Sequence, residues 1–203
     1  MDARGAAGAA RGVPERDVYG ISADRIGALG ASSGAHLASM LATLDGKGKP
    51  EAIDLVDRES AKVQSVVALY PGIDLAQIDT PIGLSALPLA TGILKPPPRN
   101  VAATALAAKQ LRAVSPVTYG TPDDPPLLLI HGDSDRIVPF QQSEIMEAAL
   151  RQARIAVKLV RVAGGDHGTG AVGWDKVDWP DLTFEWFETH LRGTAPLSAA
   201  RAG

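Results

Sequence analysis

The chain has 203 residues, of which 45% are hydrophobic and 21% are charged, so it can bury the core of one ordinary globular domain. Its 20 basic and 23 acidic side chains give a net charge of -3, and no stretch concentrates Lys or Arg, which makes nucleic acid a poor candidate partner. With no cysteine, the chain can form neither a disulfide nor a thiolate nucleophile, so serine must do any nucleophilic work.

The sequence shows no targeting or membrane segment, and we expect a cytoplasmic chain. Residues 1–12 are rich in Ala and Gly and lack the continuous apolar core of a signal peptide. No apolar run approaches the roughly 20 residues that a helix needs to cross a bilayer. Residues 1–20 carry a weak helical pattern, interrupted by glycines and by Pro14, that predicts a frayed helix.

The next segments predict a strand, a tight turn and a helix. Residues 24–30 form a short apolar run that ends in glycine, and residues 35–44 have helical spacing. The stretch 45–50 contains glycine and proline and closes this helix. Residues 63–69 are rich in valine and predict a second strand.

Residues 73–118 are irregular and have the composition of an insertion. Three prolines occupy positions 96–98, and an Ala-rich helical piece follows at 101–111. The sequence therefore predicts a single domain over residues 1–203, with a cap or insertion at about 73–118.

The last part of the chain alternates strands with helices. Residues 127–130 form a continuous apolar run, typical of a parallel strand that is covered on both faces. A helix is predicted at 141–153, a strand at 156–162 and a final helix at 180–191. Because parallel strands need long return connections, this alternation predicts an α/β fold with a parallel sheet of four strands and flanking crossover helices.

A nucleophile motif lies between the first predicted strand and its helix. Gly30, Ser32 and Gly34 match G-x-S-x-G, in which a serine sits on a sharp strand-to-helix turn. Both glycines are expected because bulk beside the serine would collide with the adjacent strand and helix. Only Ser32 is centred between the glycines, so Ser33 is expected to donate its N–H to an oxyanion. The alternative is a Gly- and Ser-rich turn that fits the pattern by chance.

Such a serine needs a base that is oriented by an acid, and candidates follow two later strands. Asp135 is the predicted acid, whereas Asp133 is expected to bond turn amides. His167, in a glycine-rich loop after the following strand, is the predicted base. Ser32, Asp135 and His167 thus occur in the order Ser, Asp, His after three separate strands, which is the order found in α/β-hydrolases.

Three other histidines are alternatives for the base. His36 lies in the helix after Ser32, His131 precedes the acid turn, and His190 lies in the last helix. A structural role is the more common one for a lone histidine, and the loop position after a strand distinguishes His167 from these three.

With these residues the chain resembles the α/β-hydrolase superfamily, in its carboxylesterase branch related to hormone-sensitive lipase and to BD-FAE-type esterases. The resemblance covers residues 19–192, and in it His36 is a structural position and Asp135 is the triad acid. The resemblance rests on five segments: 19–27 before the nucleophile turn, 32–38 at the nucleophile, 131–135 with Val138 and Pro139 at the acid turn, 165–168 at the base, and 187–193 in the closing helix.

The chain also departs from that family. The resemblance implies four strands before the nucleophile strand and a His-Gly-Gly-Gly loop that donates oxyanion N–H groups, and neither is present in the sequence. We therefore expect an N-terminally truncated fold in which the Ser33 N–H is the recognisable oxyanion donor. The strand at 25–29 would then be an exposed edge that invites self-association or pairing with another chain.

The sequence predicts a serine esterase that acts on short-chain carboxylic esters through an acyl-enzyme and needs no metal or organic cofactor. Apolar side chains of the insertion could face a short acyl chain or could equally pack under a loop; they are Leu84, Leu87, Leu89, Ile93 and Leu94. The same triad also serves amidases and peptidases. The alternative function is an impaired or inactive remnant that binds a small ligand or a partner chain.

Overall fold

Four parallel strands form the sheet of this protein, in the computed structural model that describes residues 22, 24–44, 46–78 and 109–192. Their order in the sheet is their order in the chain, β1-β2-β3-β4, and every pair is parallel. The strands are β1 (Gly27–Ala31), β2 (Ser65–Leu69), β3 (Leu127–Gly132) and β4 (Val157–Val162). The predicted parallel sheet is confirmed, with strand ends within two or three residues of the predicted ones.

Three longer helices and one short helix have both ends within the described residues. They are α1 (Ser33–Thr43), α2 (Leu55–Arg58), α3 (Gln141–Gln152) and α4 (Trp179–Arg192). The sequence patterns predict α1, α3 and α4 but not α2, which spans only four residues and begins where the Asp54 side chain accepts a hydrogen bond from Val56 N. Short 3-10 turns occur at Leu75–Gln77, Pro116–Thr118 and Trp174–Lys176.

The core lies on both faces of β2 and β3, whose residues are all buried. Alternate strand residues point to opposite faces, so the two strands contribute to two separate clusters. One cluster joins Val66, Ala68, Leu127 and Leu129 to α1 and α3, and the other joins Val67, Leu69, Leu128 and Ile130 to Trp174 and residues of α4. This sandwich explains why the segment at 127–130 is apolar without interruption.

β1 is an edge of the sheet as far as the described residues show, because it pairs with β2 alone. Its side chains alternate between exposed and half-buried, and Leu29 is 51% exposed. Gly27 lies against α4 so closely that a Cβ there would come within 2.6 Å of Phe187. A small residue is therefore needed for α4 to cover this end of β1.

The turn from β1 into α1 requires one of its two glycines. A Cβ on Gly30 would stand 2.1 Å from the carbonyl oxygen of Gly34, whereas a Cβ on Gly34 would meet nothing within 4 Å. The expectation that both glycines are needed for space is therefore wrong for Gly34. The described part of the chain leaves open space around this position.

Several predicted features lie outside the described residues. They are the frayed helix at 1–20, most of the insertion at 73–118 and the five apolar side chains proposed to face an acyl group. At the end of the insertion, residues 109–112 are helical. Within the described ranges, no helix is long and apolar enough to cross a membrane.

The two glycines of the turn give a matched test of this packing. Gly30→Ala is expected to lower the free energy of unfolding by about 3 kcal/mol or more, because the new methyl group overlaps backbone atoms that cannot move aside. Gly34→Ala should stay within about 1 kcal/mol of the parent, since the space is open and Ala favours the helix. Urea unfolding of both variants measures the difference, and equal losses would contradict this account of the turn.

Candidate active site

Ser32 occupies a strained turn at the carboxyl end of the sheet. Its φ of 53° and ψ of -118° lie in a region that non-glycine residues rarely adopt, at a cost of about 1–3 kcal/mol. The turn is held on both sides, because Ser32 N donates to Leu69 O at 2.9 Å and His36 N donates to Ser32 O at 3.0 Å. β2 and the first turn of α1 therefore fix the serine at the end of β1.

Ser32, His167 and Asp135 come together in one chain of hydrogen bonds. Ser32 Oγ lies 2.9 Å from His167 Nε2, and His167 Nδ1 lies 2.7 Å from Asp135 Oδ2. Because an ionised carboxylate can only accept, Nδ1 carries the ring proton and Nε2 can accept from the serine hydroxyl. The arrangement can take the proton from Ser32 as its oxygen attacks an electrophile.

Asp135 is a buried carboxylate that accepts hydrogen bonds from several donors. Burial of this fully covered side chain favours its neutral form, but hydrogen bonds from two histidines and two backbone amides outweigh burial and hold the pKa of Asp135 well below its usual range. The donors are His131, His167, Val138 N and Ile137 N. Both amides donate to Oδ1 at 2.8 Å, so Oδ2 is left to the two imidazoles.

Tyr70, which no motif in the sequence singles out, packs against His167. The two rings meet edge-on with centroids 4.7 Å apart, and Trp174 packs against Tyr70 in the same way at 5.3 Å. Tyr70 has a φ of 44°, and its N–H donates to Ile130 O at 2.8 Å. Its position in the sequence could have indicated Tyr70, because a residue that directly follows a buried parallel strand lies at the carboxyl end of the sheet, as Ser32 does.

Asp133 links the loop of Asp135, called the acid loop, to the loop of His167, called the base loop. Its Oδ1 accepts from Gly164 N at 2.7 Å, and its Oδ2 accepts from Arg161 Nε at 2.7 Å. The side-chain bond from Arg161 contributes most to holding the pKa of Asp133 below its usual range. The predicted role of Asp133 in bonding turn amides is confirmed, and the amide in question belongs to the loop of His167.

Asp166 provides a second tie between the same two loops. Its Oδ1 accepts from His167 N at 2.8 Å and from Arg136 N at 3.2 Å, and its Oδ2 accepts from the Arg136 side chain. That guanidinium lowers the pKa of the Asp166 carboxyl group. Asp166 immediately precedes the predicted base, but its partner is 30 residues away in the chain, which no local pattern reveals.

The three alternative histidines do not contact Ser32. His36 Nδ1 donates to Gly72 O at 2.9 Å, and burial lowers the pKa of His36. His190 packs against Trp186 with ring centroids 4.1 Å apart and ring planes 53° apart, and burial lowers the pKa of His190 as well. His131 is completely buried and lies 3.3 Å from Asp135 Oδ2, on the carboxylate rather than on the serine.

Ser33 is the first residue of α1, directly after the nucleophile turn. The first N–H groups of a helix have no carbonyl one turn earlier to bind, and they point toward anions placed at the helix end. This position suits the predicted donation of an N–H to an oxyanion.

A cavity of about 380 Å³ lies at the opposite end of the sheet from these groups. It is lined by residues from the end of α1 and from the approaches to β2 and β3, among them Leu44, Val63 and Pro125. It is therefore separate from the hydrogen-bonded chain at Ser32. Among the residues that the structure describes, no group of three or more His, Asp or Glu side chains could hold a metal ion.

Comparison with known proteins gives one family and a consistent fold. The BD-FAE family model matches residues 14–150. The probable carboxylic ester hydrolase LipM of Mycobacterium tuberculosis is 32% identical over 66% of this chain, and the uncharacterized peptidase YuxL of Bacillus subtilis is 32% identical over 38% of it. The acetyl ester-xyloside bifunctional hydrolase of Caldicellulosiruptor lactoaceticus superposes over 97% of this chain with a TM-score of 0.67 and 24% identity, which shows the α/β-hydrolase fold.

The chain spans only part of these proteins. The matched region is 30% of LipM and 12% of YuxL, and the superposed region is 64% of the Caldicellulosiruptor hydrolase.

The charge of Asp135 makes a prediction about stability and pH. Because the folded state depresses the pKa of Asp135, the stability it adds is present above the unfolded value near 4 and is lost as the pH falls toward the folded value. We therefore expect the difference in free energy of unfolding between the parent and Asp135→Asn to be largest at neutral pH and to shrink below about pH 4. Denaturation curves of both proteins, recorded from pH 7 to pH 2 at intervals of about one pH unit, measure this difference. A difference that stays constant over this range would contradict the ionised, hydrogen-bonded carboxylate.

Proposed function

Since the chain belongs to the BD-FAE family, we propose that it hydrolyses carboxylic esters, with Ser32 as nucleophile, His167 as general base and Asp135 as the acid that orients the base. The observation that carries the proposal is the unbroken chain of hydrogen bonds from Ser32 Oγ through His167 to a buried carboxylate. A chance Gly- and Ser-rich turn would have no reason to place an oriented imidazole 2.9 Å from the hydroxyl.

The proposed reaction proceeds in two halves. His167 Nε2 takes the proton from Ser32 as Oγ bonds to the acyl carbon, and the ring then returns that proton to the departing alcohol oxygen. Water, deprotonated by the same nitrogen, attacks the acyl-enzyme and releases the carboxylic acid and the free serine. Throughout, Asp135 Oδ2 holds Nδ1–H and stabilises the imidazolium that forms between these steps.

We assign the Ser33 N–H as a donor to the carbonyl oxygen that becomes negative in each tetrahedral intermediate. Its place at the start of α1 supports this role, because the helix N-terminus favours negative charge. A single oxyanion donor is worth about 3 kcal/mol, or a hundredfold or more in rate, so the number of donors sets the turnover of this chain.

Short-chain esters are the proposed substrates. The Caldicellulosiruptor neighbour is named as an acetyl ester hydrolase, and LipM is named as a carboxylic ester hydrolase, which supports an acetyl ester as the first compound to test. YuxL is named as a peptidase, so an amide of the same acyl group should be tested beside the ester.

The test is hydrolysis of p-nitrophenyl acetate by the parent chain, by Ser32→Ala and by Ser39→Ala. Ser32→Ala should lose about a thousandfold or more of the rate, because the nucleophile is gone. Ser39 lies on α1, is fully buried and has no hydrogen-bond partner for its hydroxyl among the described residues. Ser39→Ala therefore controls for a buried Ser-to-Ala change and should keep the parent rate.

Equal rates for the parent and Ser32→Ala would overturn the triad assignment. In that case the chain would be the inactive binding remnant that is the alternative function. Cleavage of p-nitroacetanilide at a rate comparable with the ester would replace the esterase proposal with an amidase.

We also propose that β1 mediates self-association. In the described residues its outer backbone groups have no neighbouring strand, and the exposed Leu29 lies on this strand. Leu29→Lys should weaken association because a lysine on an edge strand disfavours pairing, whereas Ile53→Lys, at a site 99% exposed and away from the sheet, should not. Light scattering over a concentration series measures the change, and a parent chain that is strictly monomeric would refute the proposal.

A further inference from the structure

A second histidine lies against the carboxylate oxygen that faces His167. His131 is the fifth residue of β3 and is completely buried. Its Nε2 lies 3.3 Å from Asp135 Oδ2 and 3.0 Å from Val138 O, and its Nδ1 lies 2.7 Å from Ser143 Oγ on α3. The proposed reaction makes no use of this histidine.

The partners of His131 determine where its proton lies. Val138 O and the Asp135 carboxylate can only accept hydrogen bonds, so Nε2 must carry a hydrogen. The Ser143 hydroxyl can then donate to Nδ1, which gives a neutral ring with both nitrogens satisfied. Ser143 thereby selects the tautomer whose Nε2–H lies between Val138 O at 3.0 Å and Asp135 Oδ2 at 3.3 Å.

One carboxylate oxygen is therefore shared between two imidazoles. Oδ1 of Asp135 is occupied by the amides of Ile137 and Val138, and Oδ2 faces His167 Nδ1 at 2.7 Å and His131 Nε2 at 3.3 Å. A hydrogen bond to an ionised acceptor draws on its negative charge, and less charge remains for the other donor on the same atom. The second N–H therefore reduces the negative charge with which Asp135 Oδ2 stabilises protonated His167.

We propose that His131 is a positioning residue that holds Asp135 Oδ2 in place and lowers the basicity of His167, and that Ser143 acts through His131 by fixing its tautomer. The catalytic consequence rests on the proposed esterase function, but the effect on His167 does not require turnover. Sharing the carboxylate keeps His167 unprotonated, and so able to accept from Ser32, at a lower pH than an unshared carboxylate would allow.

Other polar and charged groups also lie near the two rings. The His167 ring faces Ser32 and the Tyr70 ring. Its backbone N–H donates to the adjacent Asp166, whose charge is offset by Arg136. His131 faces Phe140 at a centroid distance of 5.7 Å, and beyond that ring lies the Arg161 guanidinium, which pairs with Asp133. Among the described residues, His131 is the one ring besides His167 with a nitrogen within 4 Å of the Asp135 carboxylate, and its single Nε2–H is shared with Val138 O.

The test is an NMR titration of the His167 imidazole in the Ser32→Ala background, with and without His131→Met. Methionine fills a similar volume and has no N–H, so Oδ2 should serve His167 alone and the titration midpoint of His167 should rise by about 0.5 pH unit or more. His131→Gln, whose amide can donate to Oδ2, should keep the midpoint near that of the parent.

The outcomes separate this role from simple packing. An unchanged or lowered midpoint in His131→Met would overturn the proposal, as would an equal rise in His131→Gln, because the donor would then be irrelevant. If His131→Met does not fold, His131→Gln paired with Ser143→Ala keeps the test open. Loss of the Ser143 hydroxyl frees the tautomer, and the midpoint should move up in Ser143→Ala; no movement there would overturn the role of Ser143.

Kinetics distinguish failure of this inference from failure of the proposed function. If the parent hydrolyses esters through Ser32, the acidic limb of its kcat/KM profile should move to higher pH in His131→Met in parallel with the NMR midpoint. If the chain shows no Ser32-dependent hydrolysis, the esterase proposal fails while the titration still decides the role of His131.

Discussion

The in-register parallel pairing of four strands is the constraint on which the rest of this structure depends. Ala31, Leu69 and Ile130 are consecutive partners across the sheet, and β4 continues the register beside β3. Because all four strands run in the same direction, the loops that carry the site residues all leave the sheet at the carboxyl ends of the strands. Residues 32, 70, 135 and 167 meet there although up to 135 positions separate them in the chain.

Two of the three unfavourable features of the site follow the best-packed strands of the protein. Ser32 and Tyr70 both have positive φ, and Asp135 is a charge without access to solvent. Each of them follows, directly or after a short turn, β1, β2 or β3, and β2 and β3 are buried on both faces. Strain and buried charge persist only where surrounding contacts determine the geometry. Here the carbonyl oxygens of Leu69 and Ile130 accept from the strained residues, and two backbone amides donate to Asp135 Oδ1.

Hydrogen bonds and ion pairs hold the acid loop against the base loop. Asp133 and Asp166 bridge the loops through backbone amides and arginine side chains, while Asp135 joins them through His167. Exposed ion pairs contribute little by themselves, so the bonds to loop amides are the more important part of the bridges. The opposite flank, at β1, is less supported in the described residues, as the open space at Gly34 and the exposure of Leu29 show.

The sequence by itself determined the sheet and its three longer helices, and it singled out Ser32, Asp135 and His167, whose side chains meet in the structure. These features depend on local patterns: apolar runs, helical spacing and glycine-flanked turns. The sequence did not identify Tyr70, Asp166, His131 as a partner of Asp135, or Ser143. Their contacts join segments from different strands and helices, and in most of them the partner is 12 or more residues away. Only the packing of α3 and the loops against the parallel sheet brings these groups within hydrogen-bonding distance, because a side-chain contact between distant segments is a property of the folded chain and not of any window of its sequence.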